Sequence, residues 1–151
     1  MIPEFKAQIT AINSATSRIN GLYGKWAQKR KVNHYAMDIL YLLLTEGPLT
    51  QKKFREEFEI PKQSVNNVIT SLKNAGYIIL EASPEDRREK IILLTKKGLR
   101  YSEKLLAPLF EIEEAVIRRM GPRMMRQMIE ATAVYGNFLE QEMEKKAGAL
   151  I

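Results

Sequence analysis

The chain has 151 residues, 45% apolar and 28% charged, which suits one domain with a substantial core and argues against disorder. Its formal charge of +6 favours anionic partners; no run of ~18 apolar residues occurs, and Glu4, Lys6 and Gln8 interrupt the N-terminus, so a cytoplasmic protein without a membrane span or signal peptide is expected. The absence of cysteine excludes disulfides and thiol chemistry, and a lone histidine, His34, excludes a multi-histidine metal site within one chain.

The first segment, from Glu4 to about Val32, is expected to be helical. Phe5, Ile9, Ile12, Ala15, Ile19, Leu22 and Trp26 recur every three or four residues and form one apolar stripe. Gly21 and Gly24 weaken such a helix by roughly 1 kcal/mol each relative to alanine, marking either a bend or a close approach. The segment ends in Lys25, Lys29, Arg30 and Lys31 without an intervening acid. Cations there complement the helix dipole or meet phosphates.

The second segment spans about Asn33 to Lys97. Residues 36–44 are nearly all apolar and are bounded by Gly47 and Pro48, the pattern of a buried central helix. Thr50 is placed to cap a short helix over 51–58, with Phe54 and Phe58 on one face. Glu59, Ile60 and Pro61 form a turn, and the next helix covers 61–74. Val65, Val68, Ile69 and Leu72 make its buried face, while Lys62, Gln63, Ser64, Asn66, Asn67, Ser71 and Lys73 lie mostly opposite. Gly76 suits the left-handed position after its end. A strand over 77–82, a charged turn over 83–89 and a returning strand over 90–94 complete a hairpin.

Two short helices across a tight turn, followed by a hairpin with a basic tip, form the pattern of a winged helix-turn-helix. The outward face of the second helix has amides and cations, and no acid occurs from Lys62 through Ile79. Amides pair bidentately with adenine edges, and an acid-free face avoids repulsion from phosphates.

The third segment, Thr95 to Lys146, is again helical. Thr95 is its expected N-cap, and Tyr101, Leu105, Leu109, Ile112 and Val116 form a stripe. Pro108 is expected to kink or break the helix. Gly121 and Pro122 separate a last helix whose stripe is Met125, Met128, Thr132, Tyr135, Leu139 and Met143, widened by Ile129 and Phe138. The flanking stripes need burial, and a second copy of the chain supplies it, with Ile9, Ile12, Met125, Met128, Tyr135 and Leu139 as interface residues. The expected fold is therefore mainly α with a small antiparallel β wing (α+β). Residues 33–98 form the DNA-binding region, and residues 1–32 and 99–151 the dimerisation region.

The chain resembles the MarR family of transcription regulators over almost its whole length. The wing carries the resemblance most strongly: Asp86-Arg87-Arg88, a strand, then Leu94-Thr95-Lys96-Lys97-Gly98. Leu49-Thr50-Gln51, Ile60, Ser64-Val65 and Leu72-Lys73-Asn74-Ala75-Gly76-Tyr77-Ile78 fit as well. The resemblance implies a homodimeric, sequence-specific DNA-binding regulator, a repressor more often than an activator. A dimer of this kind places two recognition helices ~34 Å apart on a pseudo-palindromic duplex.

By matching position, Lys62, Gln63, Ser64, Asn66 and Asn67 are the readers of the major groove. Arg88 enters the minor groove, oriented by Asp86, with Arg87 and Lys90 on phosphates. Family members also respond to small anionic aromatic compounds, and Tyr23, Trp26, His34 and Tyr35 are the residues placed to line such a crevice.

Three departures from the family pattern stand out. Asn66-Asn67 occupies a place where an arginine-containing pair is common, which shifts the expected readout from guanine towards adenine. Arg55 replaces a usually small residue, and Glu59 a common glycine; each either widens the turn or points outward. Two alternative functions stay open: a winged-helix protein-interaction module, and a sequence-tolerant chromosomal DNA-binding protein. No nucleophile motif, glycine-rich phosphate loop or metal-ligand spacing is present, so neither catalysis nor a cofactor is expected.

Overall fold

The structure is a computed structural model that describes residues 2–58, 60–84 and 89–148. Helix α1 (Pro3–Lys29) continues unbroken through Gly21 and Gly24. A Cβ at either glycine would meet nothing within 4 Å, so neither serves a close approach within the chain. The helix stops in a Schellman turn: the Lys31 N–H bonds the Gln28 carbonyl at 3.0 Å and the Val32 N–H bonds that of Ala27 at 3.1 Å. Lys31 takes the left-handed position at φ 56°, where glycine is the usual occupant.

Helix α2 (His34–Thr45) starts where the Asn33 side chain accepts the Ala36 N–H at 3.2 Å. It is the central helix expected from its apolar run, with Met37, Ile39 and Leu40 almost completely buried. Leu49–Thr50 then forms a short strand, β1, an element that the local sequence does not signal. Thr50 also caps helix α3 (Gln51–Phe58), accepting the Lys53 N–H at 3.0 Å. Phe54 of α3 is fully buried, whereas the Phe58 side chain and Glu59 lie outside the described residues.

Helix α4 (Lys62–Asn74) buries Val65, Val68, Ile69 and Leu72, the expected face. Pro61 sits at its N-cap position rather than inside the first turn. The helix ends in a second Schellman turn, with Gly76 at φ 71° and the Tyr77 N–H bonded to the Leu72 carbonyl at 2.9 Å. Strands β2 (Ile78–Ala82) and β3 (Lys90–Leu94) form the wing. The sheet is antiparallel in the order β1-β3-β2, pairing Leu49 with Ile92, and Ile78 with Leu94 through Ala82 with Lys90. The Ser83 N–H bonds the Glu89 carbonyl at 3.0 Å and closes the wing at its base.

Helix α5 (Lys96–Gly148) begins where Thr95 Oγ1 accepts the Gly98 N–H at 2.9 Å, confirming the expected cap. Of the kink or break expected at Pro108, the break does not occur: the helix continues through it. Proline frees one carbonyl a turn earlier, here that of Lys104, an exposed residue whose carbonyl water can satisfy. The break falls at Gly121, with φ 74° and ψ 162°. Pro122 disfavours a helical conformation in the residue before it, and glycine is free to take the extended positive-φ alternative.

The chain divides into two compact units, Met1–Leu106 and Ala107–Ile151, so α1 shares a unit with the winged helix-turn-helix. No described helix is long and apolar enough to cross a membrane.

Candidate nucleic-acid interface

The candidate reading face is the outward side of α4. Burial of Val65, Val68, Ile69 and Leu72 fixes the rotation of the helix and leaves Lys62, Gln63, Asn66 and Asn67 exposed. Ser64 is half-buried, and its N–H bonds the Pro61 carbonyl at 2.9 Å. Gln63 Nε2 donates to Asn67 Oδ1 at 3.0 Å, one helical turn away. This bond pre-orients both amides, and each keeps hydrogen-bonding groups for a base edge. The exposed side of α4 therefore offers amides, with Lys62 at its start and Lys73 in its last turn, and there is no carboxylate on α4 itself.

Of the four wing residues expected to contact DNA, Lys90 is described and is exposed at the start of β3. Asp86, Arg87 and Arg88 lie outside the described residues. The sheet brings the base of the wing beside α3 and α4. Between them lies a cleft of about 340 Å³ lined by Gln51, Lys52, Arg55, Lys62, Val65, Asn66, Leu80, Glu89 and Lys90. The sequence reading identified Lys62, Asn66 and Lys90 but not the contribution of α3. The signal was Arg55, a departure from the family pattern; it is half-buried and lines the cleft.

The four residues expected at an effector crevice lie on α1 and at the start of α2, which pack together. Tyr23, Trp26 and His34 are half-buried, and Tyr35 is exposed. The Arg30 guanidinium stands 4.7 Å from the centre of the Trp26 ring, so part of the basic run is engaged by an aromatic face. Trp26 Nε1 and His34 Nδ1 are buried without a hydrogen-bond partner among the described residues. His34 Nε2 lies 3.6 Å from Asp38 Oδ2. Burial pushes the Asp38 carboxyl up to about 6, against the lowering pull of His34.

The interface residues expected from the stripes stand apart from the core. Ile9, Ile12, Met128, Tyr135 and Leu139 are exposed, and Met125 is half-buried. No group of three or more potential metal-ligating side chains occurs among the described residues.

Comparison with known proteins agrees with this geometry. Residues 32–89 match the family model described as MarR family. Over 79 residues the chain is 30% identical to the uncharacterized HTH-type transcriptional regulator YwoH of Bacillus subtilis, covering 52% of this chain and 57% of that protein. The chain thus spans little more than half the length of this curated relative. The fold superposes on a MarR family regulator from Neisseria meningitidis with a TM-score of 0.82 and 25% identity, covering 92% of this chain and 98% of that one. It also superposes on NadR, solved in complex with 4-hydroxyphenylacetate, with a TM-score of 0.71 and 18% identity over 83% of this chain and 89% of that one. These relatives are regulators rather than enzymes. Residues 32–89 thus match the MarR family, and the chain shares its fold with a MarR family regulator over 92% of its length.

Proposed function

We propose that this chain is a homodimeric, sequence-specific DNA-binding transcription regulator of the cytoplasm, acting as a repressor. The observation that carries the reading is the acid-free outward face of α4, which holds Lys62, Gln63, Asn66 and Asn67 exposed beside the wing. A helix of this chemistry reads base edges in a major groove, and the wing with Arg88, oriented by Asp86, and Arg87 and Lys90 reaches the neighbouring minor groove and its phosphates. The exposed apolar stripes containing Ile9, Ile12, Met125, Met128, Tyr135 and Leu139 support dimerisation, because surfaces of this kind are uncommon on monomers. Neither alternative is favoured by a specific observation. A protein-docking winged helix would show an acidic or apolar face on α4.

A small aromatic or anionic effector relieves DNA binding in this reading. Support comes from Trp26 Nε1 and His34 Nδ1, buried without a hydrogen-bond partner among the described residues, which an acceptor-bearing aromatic ligand would satisfy, with Tyr23 and Tyr35 nearby in sequence. NadR, of similar fold, was solved with such a compound.

The test is selection of duplexes from a random pool, followed by affinity measurement at ~0.15 M salt. The selected duplex is expected to bind at least ~10³-fold more tightly than random DNA. Asn66→Ala should cost about 1–3 kcal/mol on the selected duplex and much less on random DNA. Equal affinity for both duplexes overturns sequence-specific regulation.

A further inference from the structure

The cleft between α3, α4 and the wing base carries more charge than base reading requires. Among its described lining residues, Lys52, Arg55, Lys62 and Lys90 are cationic and Glu89 is the single carboxylate. Cations gathered on one concave surface repel one another, and an anion seated among them relieves that repulsion. Glu89 supplies one such charge from within the chain, with its Oε1 3.9 Å from Lys52 Nζ. Its backbone is fixed by the Ser83 N–H, so the carboxylate is presented from the wing base and not from the tip. The Arg55–Glu56 pair, also at 3.9 Å, joins adjacent residues whose side chains stay 41% and 58% solvent-accessible, and holds the guanidinium weakly.

We propose that this cleft is a phosphate site for one strand of bound DNA, and that Glu89 is a resident competitor that must release Lys52 before the phosphate is taken. The proposal rests on the DNA-binding function above and adds α3 to the contact surface. The occupant follows from the lining. Asn66 belongs to the reading face of α4, and Lys90 opens the wing. A strand passing from the major groove under α4 to the minor groove at the wing crosses the space between them. A free polyphosphate offers the same chemistry from another source, and the experiment separates the two.

The affinity of the full-length protein for its selected duplex is measured across a salt series for the wild type and five single variants. Lys52→Met and Arg55→Met should each weaken binding and flatten the slope of log affinity against log salt by about 1, the loss of one phosphate contact. Arg55→Lys should keep the wild-type slope, which separates loss of charge from loss of packing. Glu89→Gln should tighten binding by roughly 3–10-fold, and in the double variant with Lys52→Met the gain should fall below about 2-fold. Glu81→Gln, an exposed acid on β2 outside the cleft, should leave the slope unchanged.

A tight wild-type complex whose slope ignores Lys52, Arg55 and Glu89 overturns the cleft and leaves the proposed function standing. Inorganic pyrophosphate that displaces the duplex from the wild type but not from Arg55→Met, with unaltered DNA slopes, assigns the cleft to a free anion and overturns the DNA assignment. A wild-type chain that selects no duplex overturns the proposed function and this site together.

Discussion

Gly98→Ala tests the junction on which the winged unit hangs. Gly98 lies in the first turn of α5, buried against the residue that leads into β2. A Cβ there would stand 1.8 Å from the Tyr77 carbonyl oxygen, 2.7 Å from its carbon and 3.0 Å from its Cα. All three are backbone atoms, so no rotamer change relieves the clash. To reach even 3.0 Å the oxygen must retreat by about 1.2 Å. That oxygen accepts the Thr95 N–H at 3.0 Å, and the Thr95 hydroxyl donates to the adjacent Gly76 carbonyl at 2.7 Å. Overpacking costs about 1–3 kcal/mol and each weakened hydrogen bond about 0.5–1.5, while alanine regains up to ~1 in helix propensity. The net loss is about 2 kcal/mol. At fixed protein concentration this lowers the urea midpoint by about 1 M for a slope near 2 kcal/mol per M. Gly76→Ala is the comparison: it keeps the φ of 71° but meets nothing nearer than Lys97 at 3.9 Å, so it costs only the left-handed strain of about 1 kcal/mol. A Gly98→Ala chain that unfolds at the wild-type midpoint, or a Gly76→Ala chain that unfolds earlier than Gly98→Ala, refutes the close-approach argument.

Two further perturbations address other parts of the chain. Burial raises the Asp38 carboxyl from 3.8 to about 6, so between those values the folded chain holds more protons than the unfolded chain. Stability from this group is therefore greatest below about pH 4 and falls as pH rises towards 6. Asp38→Asn should flatten that slope in urea titrations from pH 4 to 7 and leave the variant more stable than wild type above pH 6; an unchanged slope refutes the assignment. Ile12→Glu places a carboxylate on an α1 stripe residue that is 39% exposed in the single chain. Sedimentation at micromolar concentration should show the wild type as a dimer and this variant as a monomer, and a variant dimer as tight as wild type removes α1 from the interface.

The legibility of this fold in its sequence followed the reach of the interactions that specify each element. Local signals were readable. Thr50 and Thr95 capped the helices they precede, and Gly76 took the left-handed position that ends α4. The alternation of buried and exposed residues fixed which side of α4 faces outward. Features that depend on distant partners were not readable. Strand β1 is two residues long and exists because Leu49 and Thr50 meet Ile92 and Ile91 across the sheet. Pro108 carried the usual breaker signal, yet its cost is confined to one carbonyl on an exposed residue, and the helix continues. The cleft was illegible for the same reason: Lys52, Arg55 and Glu89 are spread over 38 positions of sequence and become neighbours only when the sheet brings the wing base to α3.

The motif Leu94-Thr95-Lys96-Lys97-Gly98 gains a mechanical meaning from these contacts. Thr95 ties the start of α5 to the carbonyls of Gly76 and Tyr77, and Lys97 Nζ donates to the Ala75 carbonyl at 2.7 Å while standing 5.1 Å from the centre of the Tyr77 ring. Tyr77 in turn stacks on Tyr101 at 4.1 Å and 7°. Burial, and then the neighbouring Tyr77, push the Tyr101 hydroxyl above the ordinary phenol range. The end of α4, the start of β2 and the first turns of α5 are thus joined by backbone contacts, a cation over a ring and a stacked pair. Separating them means breaking several hydrogen bonds at once, at about 1 kcal/mol each, before any compensating contact forms. A displacement of the first turns of α5 is therefore carried whole to the reading helix and the wing. In the proposed homodimer, an effector would act most cheaply on such a unit by changing where it stands relative to the second copy, because deforming it costs more than moving it.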